Sequence, residues 1–270
     1  MADTIAAAGV PRELASAAIA HVEADPVYLA ARKQQQLLRK LESVVGNLQK
    51  VWELSPGYKT VDKRPLCGMD EFLERYVVGC RPVVFTDMAQ DWPARSRWSP
   101  ADLKARFGHL DVEIQAERSA DARYEENKLA HRKSVRLGSF VDRVLAGGAT
   151  NDYCPAGAVT PLHHDSIMLC HTQIVGRKRW RFISPLQTPL LYNSFEVYSP
   201  IDIDKPDLNR YPLFAQATVL EVIVEPGETV FLPLGWWHQV TALDVSLSFS
   251  FSNLAVPNQY SFTNPTITNW

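Results

Sequence analysis

From residue 158 onward, apolar and polar positions alternate in short runs broken by Gly, Pro, Asp and Asn. VTPLHHD, MLCHTQIVG, KRWRFISP, VLEVIVEPG, TVFLPLG, WHQVTAL and VSLSFSFSN each read as a strand with one buried face. So many short strands with turn punctuation predict an antiparallel sandwich or jelly roll. The first half of the chain has a different period. Leu37, Leu38, Leu41, Val44, Val45, Leu48, Val51 and Trp52 recur at three-four spacing within residues 29–52, which predicts an amphipathic helix. Its apolar stripe can dock on the rest of the chain or on a second copy, so a homodimer is allowed. SPGYKTVDKRP, from 55 to 65, has the composition of a connector. MDEFLERYVVG then reads as a short helix, CRPVVFTDM as a buried strand, and WSPADLKARFG as a helix capped by Ser99 and Pro100 and ended by Gly108. LDVEIQA alternates as a strand, and LGSFVDRVLAGG is a helix closed by its glycines. The expected class is mainly β, with a helical segment over residues 1–54 and one large domain over 55–270.

Composition narrows the function classes. A chain of 270 residues with 46% hydrophobic content can bury a substantial core. A formal net charge of -2 without long Lys/Arg runs argues against a dedicated nucleic-acid or membrane-surface binder. No uncharged apolar run approaches the length of a membrane span, and the alanine-rich start has no basic leader. Cys67, Cys80, Cys154 and Cys170 show no CxxC spacing, so they are expected to be reduced thiols in a cytoplasmic protein.

The chemistry concentrates in TPLHHDSIMLCHTQIVGRKRW, residues 160–180. On a strand His163 and Asp165 share a face and His164 points away. His238, after the turn glycine of LPLGWWHQV, is the best candidate for a third ligand from a neighbouring strand. Two histidines and one carboxylate make a facial triad, which leaves about three positions of an octahedral ion open, as dioxygen activation requires. Against this, a histidine beside tryptophan also fits a packed core. Lys178 follows the turn at Gly176 and shares a face with Trp180 and Phe182, so its ammonium points among apolar neighbours and needs an anionic partner. A bound carboxylate would serve.

VTPLHHD, then QIVGRKRWRFISP, then YPLFAQATVLEVIVEPGETVFLPLGWWHQVTALDVSLSFSFSN, in that order, resemble the catalytic half of the JmjC-type, cupin-like iron(II) and 2-oxoglutarate-dependent oxygenases, closest to their small hydroxylase branch. RPVVFTDMAQDWPARSRWS resembles the entry to that domain. The resemblance implies a double-stranded β-helix, Fe(II) held by His163, Asp165 and His238, and 2-oxoglutarate as cosubstrate with O2. Lys178 and Thr160 would bind the distal carboxylate of 2-oxoglutarate, and Ser250 falls where relatives place a polar group beside it. The segment before the metal strand, about 147–158, is shorter than in relatives, and Tyr153 is the residue there that could replace a missing aromatic. Leu169 stands where close relatives often carry asparagine. The implied reaction is hydroxylation of an amino-acid side chain in a protein or peptide, with Glu113 a candidate for meeting a cationic side chain. A free amino acid or natural-product intermediate, a tRNA nucleoside, and a non-catalytic metal-binding cupin are the competing readings. A zinc hydrolase would give Lys178 no role.

Overall fold

The computed structural model describes residues 2–117, 124, 127–147, 157–193 and 196–260. The chain divides into two compact units, residues 1–54 and 55–270. The first is helical: α1 (Ala2–Ala7), α2 (Arg12–Ala24) and α3 (Pro26–Trp52). Asp25 starts α3 by accepting hydrogen bonds from the Val27 and Tyr28 amides at 2.7 and 3.2 Å, with Pro26 in the first turn, where its missing N–H is not needed.

The second unit begins with β1 (Asp62–Arg64), α4 (Met69–Glu71), a π-helical continuation (Phe72–Val78) and β2 (Val83–Phe85). Then come α5 (Ala94–Arg97), α6 (Pro100–Phe107), β3 (Asp111–Gln115), β4 (Arg132–Arg136) and α7 (Leu137–Ala146). The predicted cap of α6 forms, with Ser99 Oγ accepting from the Asp102 amide at 3.1 Å. The connector is not wholly irregular: residues 62–64 inside it add a parallel strand to β2. Seven strands follow, β5 (Val159–His163), β6 (Leu169–Val175), β7 (Lys178–Ile183), β8 (Leu220–Val224), β9 (Thr229–Leu232), β10 (Trp237–Ala242) and β11 (Leu247–Phe251).

These strands form the expected mainly β, jelly-roll core. One sheet has the order β1-β2-β9-β6-β11 and the other β5-β10-β7-β8, while β3 and β4 make a separate pair. Within the two large sheets every pairing except β1 with β2 is antiparallel. Each sheet is covered on its outer face by its own apolar cluster. Val83, Phe85, Cys170 and Phe231 of the first pack under Tyr76, and Leu162, Ile183 and Trp237 of the second pack under Leu191, Ile201, Tyr211 and Phe214. A fully buried side chain of this size contributes about 1.5–3 kcal/mol, so the outer faces supply much of the stability and release the inner faces for polar groups.

The crossing from β6 to β7 sets the position of Lys178. It runs through Gly176, whose φ of +67° is left-handed and whose α-carbon leaves a side-chain carbon only 2.2 Å from the Val245 carbonyl oxygen. Arg177 is tied down by Asp244 through its backbone N–H at 3.1 Å and its Nε at 2.8 Å. Gly176→Ala is therefore expected to cost at least about 2 kcal/mol, lowering Tm by about 4 °C or more in a thermal melt.

Candidate metal centre

The gap between the two large sheets holds the chemistry. His163 ends β5, His238 lies opposite it on β10, and their rings are 4.1 Å apart between centroids. Asp165 approaches both, with its Oδ2 3.8 Å from His238 Nε2. One ligand atom from each of His163, Asp165 and His238 lies within 4.8 Å of the others, an arrangement able to hold one metal ion. Asp165 does not belong to the strand, which ends at His163. Strand alternation is therefore not what brings the two together: the chain turns after His163, and the Asp165 carbonyl accepts from the Gly235 amide at 3.3 Å, just before β10.

The histidine tautomers are fixed by backbone. His163 Nδ1 lies 2.8 Å from the Pro161 carbonyl and His238 Nδ1 lies 3.0 Å from the Trp236 carbonyl. A carbonyl only accepts, so both Nδ1 atoms carry the proton, and in the neutral imidazole this leaves the Nε2 atoms with lone pairs, the state a metal requires. Burial drives His238 well below the ordinary histidine range, assisted by His163. Trp180 stacks on the His238 ring at 5.6 Å, and Tyr198 stacks on His163 at 5.7 Å. His164 turns to the opposite face, edge-on to Trp237 at 4.7 Å.

Thr160 reaches the same gap by an irregularity. Strict alternation from His163 would send it outward, but β10 pairs His238 with His163 and Val240 with Thr160, so an extra residue of β5 bulges between them. Thr160 and Lys178 consequently line one cavity of about 20 Å³ with Ala158, Val240 and Ala242. Lys178 crosses to the other sheet and donates to Ser248 Oγ at 2.8 Å. Ser250 sits two positions further along β11 and pairs with His171 Nδ1 at 2.8 Å. Ser248 was not anticipated, although the SLSFSFS alternation puts it on the same face as Ser250. Tyr153 and Cys154 lie outside the described residues. Cys67, Cys80 and Cys170 are free, and burial pushes the Cys170 thiol up to about 12. Trp236 and Trp237 are fully buried and their indole nitrogens donate to the Cys80 carbonyl and Thr188 Oγ1, as core residues do. Glu113 is exposed on β3 and pairs with Arg132 at 3.2 Å.

The Asp165 carboxyl is raised above its usual range, burial outweighing the favourable effect of His163 and His164. A raised carboxyl favours folding below its unfolded pKa of about 3.9 and loses that contribution as pH rises through its folded value. Without metal, the buried carboxylate thus opposes folding at neutral pH. Asp165→Asn is expected to raise the metal-free Tm at pH 7.5 in a thermal melt, with the gain vanishing below about pH 4.

Residues 153–256 match the cupin-like domain family. Lysine-specific demethylase 8 of Xenopus tropicalis is 29% identical over 222 residues, covering 68% of this chain and 50% of that protein. Lysine-specific demethylase JMJ30 of Arabidopsis thaliana is 29% identical over 237 residues, covering 72% and 54%. JmjC domain-containing protein D of Dictyostelium discoideum is 39% identical over 250 residues, covering 70% and 55%. The chain spans about half the length of these curated relatives. Its sheet core, the convergence of His163, Asp165 and His238 and these similarities together make residues 153–256 a cupin-like domain similar to those of JmjC proteins.

Proposed function

We propose that the chain is an Fe(II)- and 2-oxoglutarate-dependent oxygenase that hydroxylates an amino-acid side chain of a protein or peptide. The observation that carries this reading is the convergence of two imidazole lone pairs and one carboxylate beside a lysine that crosses the gap between the sheets. That donor set suits Fe(II) with open positions. When bound, the ion and 2-oxoglutarate supply the oxidising chemistry, in which O2 is consumed, 2-oxoglutarate becomes succinate and carbon dioxide, and one oxygen atom enters a substrate C–H bond.

The chain supplies position and shielding. His163 and His238 offer Nε2 while the Pro161 and Trp236 carbonyls hold their rings in place. Asp165 offers its carboxylate from a side chain that remains 30% exposed, so this side of the site is open to a substrate. Lys178 and Thr160 take the distal carboxylate of 2-oxoglutarate, which orients the keto acid end toward the triad. Trp180, 3% exposed, keeps bulk water from His238.

The names of the relatives favour a lysine side chain as substrate. Hydroxylation of an N-methyl carbon yields an adduct that loses formaldehyde, so demethylation and stable hydroxylation share their first step. Protein supplied with Fe(II), 2-oxoglutarate, O2 and a peptide library containing lysine and methyl-lysine should form succinate. Peptide masses then distinguish gain of one oxygen from loss of a methylene with formaldehyde release. Metal binding without any succinate formation would instead indicate a non-catalytic metal-binding cupin.

A further inference from the structure

The inner face of β6 carries a histidine that the triad does not use. His171 reaches across the gap, its ring 4.9 Å edge-on from Trp180 of the opposite sheet. Its Nδ1 meets Ser250 Oγ at 2.8 Å, but its Nε2 is buried and has no hydrogen-bond partner among the described residues. Trp180 Nε1, which can only donate, is likewise buried and unpartnered. Burial, and after it the Lys178 charge, disfavours protonation of His171. The two groups are mounted in parallel: Ser248 holds Lys178 and Ser250 holds His171 from alternate positions of β11. Gln173, next on this face of β6, turns its amide nitrogen back to the Val175 carbonyl at 2.6 Å and offers no donor here.

A histidine kept for packing would be better served by leucine, because a buried polar nitrogen without a partner opposes folding. Two unpaired ring nitrogens beside an ammonium fit an acceptor-only ligand. We propose that His171 is a second binding residue for the dicarboxylate, donating from Nε2–H to the carboxylate that Lys178 pairs with. A carboxylate selects the tautomer with the proton on Nε2, and the Ser250 hydroxyl then donates to Nδ1. This inference rests on the 2-oxoglutarate reading above and assigns His171 to cosubstrate affinity, apart from metal binding.

The test is an anaerobic titration of 2-oxoglutarate into Fe(II)-loaded wild type, His171→Leu and His171→Gln, read by the visible absorption of the chelate. His171→Leu should weaken 2-oxoglutarate about tenfold, as loss of a hydrogen bond to a charged group does, and His171→Gln should recover most of it. Affinity for Fe(II) alone, and for 2-oxobutanoate, which lacks the distal carboxylate, should stay within about twofold of wild type. Equal 2-oxoglutarate affinity in wild type and His171→Leu would overturn the proposal, as would an equal loss for both keto acids. Failure of the wild type itself to bind 2-oxoglutarate would count instead against the oxygenase reading.

Discussion

His238→Ala removes metal binding. Its imidazole is one of three groups placed to hold a metal ion and is 4% exposed, so no water or neighbouring side chain is expected to replace it with comparable geometry. Groups that merely orient a metal ligand are worth about 10–100-fold in affinity, so loss of the ligand itself should exceed about 100-fold. Competition of Fe(II) against a chromophoric chelator under anaerobic conditions measures this directly. His164→Ala is the matched control: it lies beside His163 in sequence but packs on Trp237, and it should leave the affinity within about threefold. If His238→Ala still bound Fe(II) at wild-type strength, His238 would be a core residue and no triad would exist.

On the proposed reading, Lys178→Met is expected to abolish 2-oxoglutarate binding while leaving metal binding intact. The aliphatic stem of methionine fills similar space, so the change isolates the ammonium. Taking one partner from a buried ion pair costs about 3–5 kcal/mol, because the remaining charge is left desolvated, and this corresponds to a loss of about 100-fold or more. Lys178→Arg should not restore binding fully, since a planar guanidinium cannot occupy the position from which the ammonium meets Ser248. Calorimetric titration of 2-oxoglutarate into the metal-loaded variants checks both statements. Wild-type affinity in Lys178→Met would mean that the cosubstrate, if bound, is anchored elsewhere.

Much of the fold was legible because the strands of the second half carry one buried face each, and that face is written as alternation. The same pattern located His163, Lys178 and Ser250 on strands. Other features were not legible, each for its own physical reason. Asp165 reaches His238 from beyond the end of β5, so its position depends on a turn and a hydrogen bond to Gly235. Thr160 turns inward only because β5 bulges against β10, and a bulge is a property of the pairing that neither strand announces alone. Strands β1 and β4 are charged sequences, DKR and RKSVR, whose pairing is set by their partners β2 and β3. The stretch MDEFLERYVVG was readable as a short helix, but the wider winding of Phe72–Val78 was not. Ser248 illustrates the complementary lesson. A serine alternating with phenylalanine on an edge strand is ordinarily a solvent-facing residue, and only the opposing sheet gives it Lys178 as a partner.

The most direct measurement is an anomalous difference map from crystals of this protein grown with Mn(II), a redox-stable stand-in for Fe(II), and 2-oxoglutarate. The account predicts a single strong peak about 2 Å from His163 Nε2, an Asp165 carboxylate oxygen and His238 Nε2, with the far carboxylate of 2-oxoglutarate against Lys178. A peak bound by other residues, or a dicarboxylate seated away from Lys178, would contradict it.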